Sequence, residues 1–487
     1  MHIQLKRMIL YLFAASTLLL QGACVRNPVT GNRQLALIST SQEIGIGKES
    51  HPEIIAEYGA VEEPALQEYF SRIGHEIAGI SHRPDLPWTF TVLDSSVVNA
   101  FAVPGGFIYL TRGILAYMNN EAEMAGVLGH EIGHVTARHS VTQISQQQLF
   151  GLGLGLGSIF SSRFRQMSSL AETGLGILML KYSRDHERQS DQLGIEYMSQ
   201  AGYDPVQMSR FFEVFQSFRE EQGEAIPNWL SSHPAPPDRI EATESAAETF
   251  KLEHPGRRYK VNADAFLSHI DSIVYGDNPR EGFVEKDSFY HPDLRFQFRF
   301  PQTWDVRNTK GSVAFVEPEG KAAIELTLVP PEEGRTPADV ASNISRQQGV
   351  TFIEGSRLSL NGNSAYLGRY RLQSDSGAVE VLAAFISYGK NLYQMAGMTS
   401  SSQYNSFAQV FNRTIRDFRP LTDSRILSVQ PDRIQIYRAR RGETIRSLWK
   451  PKPQSGISVE DIALLNRLDP DRALAAGTPV KLVRLGR

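Results

Sequence analysis

Cysteine is almost missing from this chain. Cys24 is the single one among 487 residues, so no disulfide can close within one copy. An excess of charge is lacking too. The 50 Lys and Arg against 53 Asp and Glu leave a formal charge of −3, too near neutral to point to nucleic acid or an acidic lipid surface. Nucleic acid is set aside as a partner. The apolar run near the start, Met8 to Leu20, counts thirteen residues. That is too few to cross a bilayer of about 30 Å as a helix. With 41% hydrophobic and 21% charged residues the chain can still bury several cores, and its length suggests two to four domains.

The beginning reads as an export signal over residues 1–23: Lys6 and Arg7, the apolar run, then Gln21-Gly22-Ala23 before Cys24. A lone cysteine behind small residues resembles the lipobox of bacterial lipoproteins, although Gln21 stands where an aliphatic residue is usual. The resemblance implies that Cys24 carries lipid and becomes the first residue of the mature protein, held to a membrane by that lipid. Residues 24–40 are polar and turn-rich, which predicts a tether.

The chain is organised around Val127 to His139, which contains His130-Glu131-Ile-Gly-His134. Asn120 can cap a helix, Glu121 and Glu123 suit its first turn, and Met124, Val127, Leu128, Ile132 and Val135 recur at helical spacing. On such a helix His130 and His134 lie about 6 Å apart along the axis, so both imidazoles reach one cation, expected to be a single Zn2+. Glu131 is then placed to serve as general base. Chance would supply only about 0.03 such motifs in a chain with this His and acid content.

The third ligand is expected on a second helix, Tyr182 to Gly194, where Glu187 and Asp191 share a face. Glu187 reads as the metal ligand and Asp191 as the carboxylate that fixes the tautomer of a ligand histidine. His139 and His186 point off the ligand faces and read as structural.

Upstream, Leu66, Tyr69, Phe70, Ile73 and Ile77 form a helical stripe, and Trp88 to Leu93 reads as a strand. A turn at Asn99 to Gly106 leads into a strand, Phe107 to Leu110. A strand beside a metal cleft can pair with an extended peptide, so Asn99, Ala100 and Phe107 are expected to meet substrate. After the metal helix, the Gly-rich stretch within residues 149–180 reads as a cover over the cleft.

His130-Glu-x-x-His134, Glu187-x-x-x-Asp191, the Asn99-Ala-Phe-Ala and Pro104-Gly-Gly turn, and Ser232-His233-Pro234 before Arg239 together resemble the zinc metalloproteases of the HtpX and CAAX-prenyl-protease family. They look most like its soluble periplasmic, BepA-like lipoprotein members. The resemblance implies a gluzincin-like fold over residues 41–280, mostly helical with a small sheet, acting on polypeptides in the bacterial cell envelope, at its periplasmic face and at the outer membrane. Catalysis would rest on Glu131 and His233. For His233 the chemistry allows an oxyanion donor or an occupant of the fourth coordination site, and the resemblance favours the second, a gate.

Beyond residue 285 the pattern changes to alternation. Leu294 to Phe300, Ala323 to Leu328, and Val381 to Ala396 around a Gly389-Lys390-Asn391 turn predict an α+β domain over 285–422, with a contact or positioning role. Residues 423–433 read as a linker. The last block, 434–487, reads strand, helix, helix, strand and resembles a LysM module, with Arg467 where a small residue commonly follows Asn466. Such modules bind glycans such as peptidoglycan. The whole is therefore expected to be an α+β multidomain zinc endopeptidase of envelope protein quality control. The rival readings are an envelope chaperone or wall-docked scaffold with a closed metal site, and a wall-amide hydrolase.

Overall fold

Cys24 opens a strand. β1 (Cys24–Arg26) pairs antiparallel with β2 (Arg33–Leu35), Asn27 Nδ2 donates to the Ala137 carbonyl at 3.1 Å, and Ala36 and Ile38 are buried against Val141. The free tether expected over residues 24–40 is thereby corrected: one buried amide and two apolar side chains hold the segment to the protein. The computed structural model describes residues 24–153, 181–222, 229, 233, 237–330, 334–374, 377–451 and 456–486. The export signal, and all of the expected cover beyond Gly153, lie outside the described residues.

A capping box between Ser39 and Gln42 starts α1 (Thr40–Tyr58). In α2 (Pro64–Ala78) the stripe Leu66, Tyr69, Phe70, Ile73 and Ile77 is buried, as the spacing predicts. A three-stranded sheet follows, made of β3 (Thr89–Leu93), β4 (Ala100–Val103) and β5 (Phe107–Thr111) in the order β3-β5-β4. β5 runs parallel to β3 and antiparallel to β4. The Pro104-Gly-Gly turn needs its glycines, because Gly105 and Gly106 hold φ of +87° and +98°, and a Cβ at Gly105 would stand 2.7 Å from Ile44 Cα.

This order corrects one expectation. β5 has partners on both sides, and the Phe107 ring packs so close to Gly47 that a Cβ there would lie 2.4 Å away. Phe107 is therefore core. β4, which begins at Ala100 beside Asn99, is one of the two edge strands.

α3 (Arg112–Tyr117) leads into α4 (Glu121–Thr136), every residue of which is buried. α5 (His139–Gly153), α6 (Arg184–Gln200), α7 (Val206–Gln222), α8 (Pro237–Glu253) and α9 (Ala263–Ile270) follow. α4 packs on α6, α7 and β4. The α4–α6 crossing is close because Gly129 and Gly133 meet Gly194, Ser190 and Leu193. Phe211 and Phe212 of α7 are fully buried.

Residues Asp277–Asp432, with 56–58 and the last residues of the chain, form a second compact unit. Its strands are β6 (Phe283–Glu285), β7 (Ser288–His291), β8 (Phe296–Arg299), β9 (Asp305–Asn308), β10 (Ser312–Val316) and β11 (Ala322–Leu328). After α10 (Pro337–Ser345) come β12 (Val350–Leu360), β13 (Asn363–Ser374), β14 (Gly377–Tyr388) and β15 (Asn391–Ser400), then α11 (Tyr404–Arg416) and β16 (Arg419–Pro420). A seven-stranded sheet runs β12-β13-β14-β15-β11-β10-β9 and a four-stranded one β16-β8-β7-β6, both antiparallel. The alternation at Phe296 and Phe298 sends both rings into a core with Phe289, Trp304, Phe315 and Phe411, while α10 covers Tyr370, Ala383 and Phe385. The expected linker is packed as well. α12 (Ser424–Leu427) buries Ile426, and Arg280 Nη1 donates to the carbonyls of Leu427 and Val429 at 3.3 and 3.2 Å.

The C-terminal module is β17 (Arg433–Arg438), α13 (Ile445–Leu448), α14 (Val459–Asn466) and β18 (Pro479–Arg484), with β17 and β18 antiparallel. Residues Arg433–Arg484 belong to the same compact unit as residues up to Ile55 and Gly59–Gly276.

Candidate metal centre

Asn120 caps α4, its side chain accepting from Glu123 N, and the helix carries His130 and His134 one turn apart on a buried face. The two Nε2 atoms lie 3.0 Å apart. α6 brings Glu187 to them: its Oε1 is 3.5 Å from His134 Nε2 and its Oε2 3.7 Å from His130 Nε2. His233 completes the group, its Nδ1 3.1 Å from Glu187 Oε1 and 3.3 Å from His130 Nε2. One donor atom from each of the four lies within 4.8 Å of all the others, and all four residues are buried.

Such an arrangement is costly unless something positive sits among the donors. Neutral imidazole nitrogens with lone pairs facing each other at 3 Å repel, and a buried carboxylate pays a large desolvation cost. The surrounding charges point the same way. Glu131, Glu187 and Asp191 bring three buried carboxyl groups to the cluster, and Arg239 is the buried guanidinium set against them. Among the described residues neither Glu131 oxygen has a hydrogen-bond partner, and His233 Nε2 stands 3.7 Å from Oε1. A base with free lone pairs beside convergent donors fits a site that takes a metal ion and a water.

The shell behind the donors fixes their tautomers. His130 Nδ1–H donates to Asp191 Oδ1 at 2.9 Å, which leaves Nε2 as a lone pair. Asp191 is held in turn by Arg239, whose Nε and Nη2 donate to it at 2.6 and 2.7 Å, while Nη1 reaches Glu187 Oε2 at 2.8 Å. Burial raises the Asp191 carboxyl, but Arg239 and His130 outweigh it and hold it below the usual range. In Glu187 burial is likewise outweighed, here by His233 and then Arg239. His134 is lowered well below the ordinary histidine value, first by burial and then by the neighbouring His130, so it is a neutral donor. Burial opposes charge on His233 too, yet Glu187 and Glu131 beside it raise it.

Two participants carried no sequence assignment at this site. His139, read as structural, places Nδ1 3.0 Å from His134 Nδ1 and Nε2 3.0 Å from Gln189 Oε1. Burial and the neighbouring His186 lower it to about 3, so it is neutral and accepts the His134 Nδ1–H. Arg239 is the other, stacked over Phe212 and Trp229 at 4.9 and 5.4 Å. Trp229 also stacks on His233, accepts from His233 N at 2.7 Å, and donates its own N–H to Val98 O at 3.3 Å, one residue before Asn99. The His233 segment is thus joined to the start of β4. Asn99 Oδ1 is buried and has no hydrogen-bond partner among the described residues, while Asn99 N donates to Thr111 Oγ1 at 3.2 Å.

The sequence profile of Peptidase family M48 matches residues 64–247, and that of the LysM domain residues 437–482. Among curated proteins the chain is similar to the Beta-barrel assembly-enhancing protease of Yersinia pestis, 29% identical over 237 residues, 47% of this chain and 48% of the relative. It is similar to the protein of that name in Escherichia coli (strain K12), 28% over 222 residues, 44% and 45% of the two chains. It also matches the Mitochondrial metalloendopeptidase OMA1 of Schizosaccharomyces pombe, 30% identical over 221 residues, 45% and 64% of the two. The matched region spans about half the length of the two bacterial relatives.

Proposed function

Because residues 64–247 make a Peptidase family M48 domain and 437–482 a LysM domain, we propose that the chain is a zinc endopeptidase of the bacterial cell envelope with a gluzincin-like catalytic fold. Its substrates are misfolded or unassembled envelope proteins, a reading supported by the names of the bacterial relatives, Beta-barrel assembly-enhancing protease. The observation that carries the proposal is the buried four-donor cluster beside a Glu131 carboxylate that has no hydrogen-bond partner among the described residues.

His130, His134 and Glu187 would hold the ion, which supplies Lewis-acid polarisation of the scissile carbonyl and a more acidic water. The protein's own groups do the rest. Asp191 and His139 keep Nε2 of each histidine turned to the donor cluster, and Arg239 offsets the carboxylates. Glu131 takes the proton of the attacking water and returns it to the leaving amine. An extended substrate strand would lie along the edge of β4 at Asn99 and Ala100, where the orphaned Asn99 Oδ1 can accept from a substrate N–H.

Lipid on Cys24 holds the protein at the periplasmic face, on the outer membrane, and the C-terminal module binds peptidoglycan. The 285–422 domain serves protein contact. The test is Glu131→Gln in the full chain. About one zinc per chain should remain while cleavage of casein falls by several powers of ten, because the donors stay and the base is gone. Loss of zinc together with activity would overturn the role given to Glu131.

One observation favours the rival reading of an envelope chaperone or scaffold with a closed, weakly active site. His233 already stands at the fourth donor position, where it competes with water.

A further inference from the structure

The residue that departs from the LysM pattern, Arg467, explains itself outside its own module. It caps α14 with φ 51° and ψ 47°, the left-handed region that side chains with a Cβ disfavour and that glycine or asparagine usually occupies. Its guanidinium leaves the module altogether. Nη2 forms an ion pair with Glu123, and Nη1 donates to the Arg210 carbonyl of α7 at 2.8 Å. Glu123 sits in the first turn of α4, and its buried carboxylate also accepts from Asn119 N and Asn120 Nδ2 at 2.9 and 2.8 Å.

Lys481, on β18, makes the second contact. Its side chain is buried and Nζ donates to the carbonyls of Ala116 and Met118 at 2.5 and 2.8 Å, at the end of α3 and just before the cap of α4. Asn466 locks this lysine to the end of α14, accepting from Lys481 N at 2.7 Å and donating to its carbonyl at 2.8 Å. A backbone seam adds to these. Ser272 N donates to Ile434 O at 2.8 Å and Ile434 N to Ile273 O at 2.9 Å, so β17 continues into residues outside the module.

Glu123 precedes His130 by seven residues, two helical turns, which puts the two about 20° apart around the axis and about 10 Å apart along it. Whatever fixes Glu123 fixes the metal face of a rigid helix. We propose that the C-terminal module is a seated part of the metal-binding unit, in which Arg467 and Lys481 are positioning residues that set the N-terminal turn of α4 and, through it, His130 and His134. A glycan module that only tethered the chain would need neither a buried lysine aimed at α3 nor an arginine in a strained backbone position.

The sign of one substitution separates the alternatives. If Arg467 served only its own module, Arg467→Gly would relieve the left-handed backbone and raise the melting temperature of the full chain. The proposal expects a lower one, with zinc retention weakened about fivefold or more and an altered visible spectrum of the cobalt-substituted protein. Arg467→Lys should recover part of each loss, and Arg467→Gly should add little in a Glu123→Gln background. An unchanged or higher melting temperature overturns the proposal. So does a lower one that leaves zinc affinity and the cobalt spectrum as they were, since the contact would then stabilise without positioning.

Discussion

Gly129 stands where α4 crosses α6, directly before His130, and a Cβ there would lie 2.9 Å from the Gly194 carbonyl oxygen and 3.0 Å from its Cα. Backbone cannot yield as a side chain does. Gly129→Ala should therefore cost about 1–3 kcal/mol and weaken zinc retention, because the displaced helix carries Glu187 and Asp191 with it. A folded variant with native zinc affinity would show that the crossing does not set the donor distances. Of the four donors, His130 and His134 were legible from their four-residue spacing on one helix and Glu187 from the face it shares with Asp191, whereas His233 was named only through the family resemblance. His139 was not, since helical geometry five residues on points it away. α4 ends at Thr136, and Arg138 then takes φ 60°, turning the chain so that His139 returns to His134. Arg239 was marked only as a position in the family resemblance, and its role was not legible because its acceptors lie 48 and 52 residues earlier in the chain.

Among the elements, periodicity found several of the strands and helices, but it could not rank the strands within a sheet. Phe107 to Leu110 and Ala100 to Val103 are both apolar runs, and only the pairing shows that β5 is interior and β4 an edge. Likewise the polar segment after Cys24 has a tether's composition. Its anchoring comes from contacts distant in the chain, among them the Asn27 amide meeting the end of α4 over a separation of 110 residues and Ala36 and Ile38 packing on Val141. The His233 segment carries no periodic signal, yet it bridges the donor cluster and the start of β4. If His233 fills the fourth donor position as a gate, His233→Ala should raise basal casein cleavage in the zinc-replete protein. An oxyanion donor would instead lose roughly a hundredfold in rate. Slower cleavage by the folded variant removes the gate.

For the whole molecule, the lipid reading of Cys24 makes a direct claim about fractionation. If lipid on Cys24 is the anchor, Cys24→Ala should move the protein from the membrane pellet to the soluble periplasmic fraction. Retention after a carbonate wash would point to another anchor. The seating of the C-terminal module makes a claim about pH. Burial pushes the Lys481 ammonium well below the ordinary lysine value, with Arg467 adding to the shift and Glu123 opposing it. In the unfolded chain the same lysine keeps its proton up to about pH 10.5. Between the depressed folded value and that limit the unfolded state binds more protons. Stability therefore rises with pH across this window, by at most about 1.4 kcal/mol per pH unit from this group. Below the folded value the lysine is charged in both states, and it contributes no slope. Chemical denaturation of the full chain at several pH values should show the rise, and Lys481→Met should remove this part of it. If the native chain and the variant follow parallel stability curves above pH 8, Lys481 keeps its proton in the fold and the buried contact is an ionic one.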